Sequence, residues 1–133
     1  MNDFIIPKGR PHKFTIQVKK PNSYDNQPLT LLNEVEVKFI NTSDMSTVAV
    51  INTNSVGAPA NTSTYTIGTG PDSLITIYLD PTTTSLFDVA RGAKEDGYYL
   101  KSTYQATIAL TFNDSTPPIN VLVDSIYVSP IEV

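Results

Sequence analysis

The chain contains no cysteine, no tryptophan and a single histidine, His12. The missing cysteine excludes disulfides, thiolate zinc sites and thiol nucleophiles. None is needed for folding: a chain of 133 residues buries about two-thirds of the surface it exposes when unfolded. With one imidazole, a two-histidine metal site cannot be assembled within the chain, and a Ser-His-Asp arrangement would depend on His12 alone. Long hydrophobic runs are missing as well. The longest aliphatic run, Val48-Ala49-Val50-Ile51, is far short of a bilayer span or a signal-peptide core, so neither membrane insertion nor secretion is expected.

Small polar residues are abundant instead. Thr (17), Ser (11) and Asn (10) stand beside 10 Pro and 6 Gly, a composition that suits short strands and turns. Apolar residues recur with period two at Phe14, Ile16 and Val18, at Val35, Val37 and Phe39, and from Tyr104 to Phe112, and Leu74, Ile75, Ile77 and Leu79 form a further strand-like segment. Turn signals separate these runs, at Pro7-Lys8-Gly9, Pro21-Asn22-Ser23, Gly68 to Asp72, Asp96-Gly97 and Thr116-Pro117-Pro118. The pattern predicts an all-β, Ig-like antiparallel sandwich forming one domain over residues 1–133, with seven to eight strands. Their expected places are near 3–6, 13–20, 34–41, 47–52, 62–67, 74–79, 98–112 and 119–129. A phase change in the last of these places a bulge near Asp124-Ser125. One crossover helix is expected near 81–91, with Asp80 as N-cap, Pro81 at the first position, Arg91 in the last turn and Gly92 as terminator. Residues 53–73 read as a hairpin with a weak strand, at an exposed edge or loop.

Charge divides unevenly. Residues 1–20 carry Lys8, Arg10, Lys13, Lys19 and Lys20 against Asp3, a net of +4, whereas the rest holds 4 basic and 12 acidic residues, a net of −8. The basic segment reads either as a footprint for an acidic protein surface, including another copy of this chain, or as a strand edge guarded by lysines. An overall negative charge argues against nucleic acid. The carboxylates form no catalytic pattern: Glu34 and Glu36 share a strand face, Asp80 and Asp88 flank the helix, and Asn113-Asp114-Ser115 reads as a turn rather than a calcium loop. Tyr98, Tyr99 and Tyr104 gather at the start of the longest strand, where a tyrosine hydroxyl often locks the corner of a sandwich; a sugar-stacking platform is the alternative.

The opening Asp3-Phe4-Ile5-Ile6-Pro7-Lys8-Gly9, then Phe14 to Val18, Leu29 to Asn33 and Val35 to Phe39, occur in a recognisable order. Together with Asp96-Gly97-Tyr98-Tyr99, Tyr104 to Ile108 and the closing Ile126-Tyr127-Val128, this order resembles the Ig-like N-terminal domains of upper baseplate proteins and similar small β-sandwich virion proteins of tailed bacteriophages. The resemblance implies a non-enzymatic structural or accessory subunit of a virion, present in many copies on the capsid, neck, tail or baseplate. Its partners would be other virion proteins or copies of itself, with no cofactor and no small-molecule substrate. Because the chain stops at Val133, a stand-alone decorating subunit is expected rather than a larger baseplate protein. Lys8, Arg10, His12 and Lys13 are the expected contact residues. The competing expectations are a carbohydrate-binding or host-adhesion module using residues 53–73 and, last, a hydrolase dependent on His12 and Asp80.

Overall fold

The computed structural model describes residues 5–68, 70–88, 91–94, 97–100 and 103–129. Among these residues ten strands and one short helix follow in the order β1 (Ile5–Pro7), β2 (His12–Gln17), β3 (Leu32–Asn41), β4 (Ser46–Ile51), β5 (Thr64–Ile67), β6 (Leu74–Leu79), α1 (Pro81–Thr84), β7 (Arg91–Lys94), β8 (Gly97–Leu100), β9 (Tyr104–Phe112) and β10 (Ile119–Ser129). One sheet has the order β1-β10-β9-β3-β4 and a second the order β2-β6-β5, while β7 and β8 form a separate ribbon. The two sheets make an all-β sandwich. Its pairs are antiparallel except β1 on β10, which run parallel with Ile5 opposite Tyr127 and Pro7 opposite Ser129.

Period-two alternation explains both sheets. Phe14 and Ile16 of β2, Val35, Val37 and Phe39 of β3, Ile75, Ile77 and Leu79 of β6, and Ala106, Ile108 and Leu110 of β9 all turn inward and are buried. Thr-, Gln- and Glu-bearing positions between them face outward, so a one-residue slip would expose the whole core. A ladder of edge-to-face rings ties the two sheets together: Phe14 to Phe39 at 6.5 Å, Phe39 to Phe87 at 5.2 Å and Phe87 to Tyr104 at 4.9 Å. Each such pair contributes about 0.5–1.5 kcal/mol beyond the area it buries. The bulge falls where the phase change placed it. Between Val123, opposite Ala106, and Ile126, opposite Tyr104, β10 carries one residue more than β9.

Two expectations are corrected. The helix starts at Pro81 with Asp80 as its cap but ends at Thr84, and Arg91, expected in its last turn, begins strand β7. Three consecutive threonines are poor helix formers, and the contacts that follow, Leu86 N–H to the Thr83 carbonyl and Phe87 N–H to the Thr84 carbonyl, are tighter three-residue turns. This exit rotates Phe87 fully into the core and leaves Leu86 in solvent. The long strand expected over 98–112 is instead two elements, β8 and β9, because β8 pairs with β7 in a hairpin rather than continuing the five-stranded sheet. The Tyr98 and Tyr99 side chains lie outside the described residues, as do residues 1–4, where the first strand was expected to begin.

Candidate functional site

At one end of the sandwich, the β1–β2 turn meets the crossover that follows β6. Arg10 N–H donates to the Pro7 carbonyl at 3.2 Å, and Gly9 takes a φ of 78° that its missing side chain permits. The turn aims Lys8 at the end of α1. Its Nζ donates to the carbonyls of Ser85 (2.8 Å) and Phe87 (2.5 Å) and lies 4.0 Å from Asp88 Oδ1. These carbonyls are the acceptors a longer helix would have used, so the ammonium caps the exit from α1. Thr84 Oγ1 donates to the Arg10 carbonyl at 2.9 Å, closing the same contact from the other side.

Asp80 anchors the entry. Its Oδ1 accepts from Ser63 Oγ at 2.6 Å, from Thr83 Oγ1 at 2.5 Å and from Thr83 N–H at 3.3 Å, while Asp80 N–H donates to Ser63 Oγ at 3.0 Å. Burial pushes this carboxyl up, but the Ser63 and Thr83 donors outweigh burial and hold it below the ordinary 3.8. A carboxylate held in its charged form by three donors is built to cap a helix, whereas general acid catalysis wants the opposite shift. Asp44 and Asp114 are likewise held low, by the Ser46 hydroxyl and N–H and by the Thr116 hydroxyl and N–H; both belong to exposed turns.

The expected contact residues divide. Lys8 and the Arg10 backbone join the crossover corner, so charge reversal at Lys8 acts on the fold as well as on any partner. His12 is half-buried, with its ring 6.2 Å from that of Phe14, and Lys13 is exposed opposite Tyr78 in the β2–β6 register. Among the described residues no three of His, Asp and Glu gather into a group that could hold a metal ion.

The opposite end was not singled out by sequence reasoning. There the segment 18–31 is laced to the β5–β6 turn by Val18 N–H to the Ser73 carbonyl (2.9 Å), Asn26 Nδ2 to the Pro71 carbonyl (3.0 Å) and Ser73 Oγ to the Gln27 carbonyl (2.5 Å). Asn113 N–H, after β9, donates to the Leu31 carbonyl at 2.9 Å. On this braced platform stand Tyr24, 97% exposed, and Leu31, 51% exposed, with Leu74 at the foot of β6 and the exposed ammonium groups of Lys19 and Lys20. Leu122, 60% exposed, continues the apolar surface up β10. One signal was present in the sequence. Leu122 occupies a solvent-phase position between Asn120 and Asp124, where the alternation calls for a polar residue.

No protein-family model and no curated protein matches the chain. Among the described residues no helix is long and apolar enough to cross a membrane.

Proposed function

We propose that this protein is a non-enzymatic structural or accessory subunit of a tailed-bacteriophage virion, working through contacts with other virion proteins or with copies of itself. The observation that carries the contact reading is Tyr24, which is 97% exposed at the tip of the braced segment 18–31. At the crossover end Lys8, Ser63, Asp80, Thr83 and Tyr104 spend their polar groups on one another and on backbone. The other end holds Tyr24, Leu31 and Leu74 out in water beside Lys19 and Lys20. An exposed aromatic on a braced tip has the make-up of a protein-contact anchor. The virion assignment rests on the resemblance of the strand order and turns to phage Ig-like domains.

The test is a census of purified phage particles by quantitative mass spectrometry. The chain is expected at a fixed ratio to the major capsid protein. A ratio near that of the capsid protein assigns it to capsid decoration, and a few copies per particle to neck, tail or baseplate. Absence from washed particles overturns the proposal.

A further inference from the structure

Strand β10 is paired unevenly. On one side it meets β9 from Ile119 to Ile126, and on the other, among the described residues, β1 accompanies it over Tyr127–Ser129. Among the described residues no strand lies beside the remaining edge of Ile119–Val123. Other sheet edges carry protection. The outer edge of β5 is covered by residues 53–55, through Tyr65 N–H to the Thr53 carbonyl and Ser55 N–H to the Tyr65 carbonyl. Strand β4 is irregular at Val48, and β2 bears the exposed Lys13. Between Ile119 and Val123 there is no lysine, no proline and no bulge.

This edge is one wall of a groove whose other wall is Gln17, Lys19 and Pro21. Ile119 and Val121 pack toward the core at its base, and Leu122 stands at its rim. Lys19 Nζ donates to Asn26 Oδ1, a neutral partner, at 2.7 Å, and among the described residues no carboxylate pairs with Lys19 or lines the groove.

We propose that the groove receives an extended segment of a partner protein, which adds a strand to the Ile119–Val123 edge, sets alternate apolar side chains over Ile119 and Val121, and turns carboxylates toward Lys19. Backbone hydrogen bonds to the edge supply affinity, the buried Ile119 and half-buried Val121 supply register, and Lys19 selects acidic segments over basic ones. This inference rests on the reading of the protein as a contact subunit and specifies how one of its partners is held.

The test uses the full chain and two short peptides, one alternating valine with glutamate and one alternating valine with lysine, with amide hydrogen exchange as the readout. The glutamate peptide is expected to slow exchange saturably within Ile119–Val123. The lysine peptide should bind at least about threefold more weakly, and Lys19→Glu, at an exposed position, should reverse that order. Absence of added protection up to the solubility limit, or equal binding of both peptides, overturns the proposal. Protection that grows with protein concentration without peptide also overturns it, assigning the edge to a second copy. A chain abundant in particles but without peptide protection at this edge refutes the groove and leaves the subunit reading standing.

Discussion

The Tyr104 hydroxyl accepts a hydrogen bond from Asp88 N–H at 2.8 Å, joining the first residue of β9 to the end of the crossover that left β6. The ring is buried against Phe87, so one side chain serves both the core and the corner. Tyr104→Phe keeps the ring and leaves the part-buried N–H without its acceptor. The expected cost is about 1–2 kcal/mol, read as a lower urea midpoint at unchanged m-value. A midpoint equal to wild type would show that the bond is dispensable.

Lys8 and Lys13 provide a paired comparison within the basic segment. Lys8→Met removes the donor to the Ser85 and Phe87 carbonyls and is expected to destabilise by about 1–2 kcal/mol. Lys13→Glu, at an exposed strand position, should stay within about 0.5 kcal/mol. Thermal unfolding of the two variants checks the contrast, and equal melting temperatures would refute the capping role of Lys8.

The strand pattern was legible in the sequence because burial on one sheet face imposes period two, and the bulge was legible because it breaks that period between Val123 and Ile126. The corner tyrosine was narrowed to Tyr98, Tyr99 and Tyr104, of which Tyr104 makes the bond. The length of α1 was not legible. Asp80, Pro81, Arg91 and Gly92 read as the two ends of one helix, but Phe87 fills the space between Phe39 and Tyr104, and the threonine-rich segment is too poor a helix former to oppose that exit. Lys8 looked like surface charge because its acceptors lie 77 and 79 residues away. The exposed end escaped notice for a related reason. Leu74 lies far beyond Tyr24 and Leu31 in sequence, and the bonds linking 18–31 to Pro71 and Ser73 bring it to the same end.

Acid unfolding should report on Asp80. Its folded-state value lies below the ordinary 3.8, so its stabilisation is complete above that value and is lost as pH falls through the folded one. Asp80→Asn is expected to cost about 1 kcal/mol at neutral pH by weakening the cap and to flatten the stability profile below about pH 4. Denaturant midpoints measured across that range decide it; parallel profiles for variant and wild type would contradict the charged cap.

Gly68 tests the β5–β6 turn. A Cβ there would sit 2.9 Å from the Leu74 carbonyl oxygen, which already accepts from Gly68 N–H at 2.8 Å. Gly68→Ala must therefore push backbone against backbone, at an expected cost of about 1–3 kcal/mol. An unchanged melting temperature would show that the turn yields freely.

Competition for incorporation into particles probes the exposed end itself. Tyr24→Asp alters a side chain that is 97% exposed, so the variant should melt with the wild-type protein. Supplied together with wild type during phage assembly, it is expected to be under-represented in purified particles by at least about fivefold, the loss of a contact anchor worth 1 kcal/mol or more. Incorporation of the two forms in proportion to their supply would contradict a contact role for this end of the sandwich.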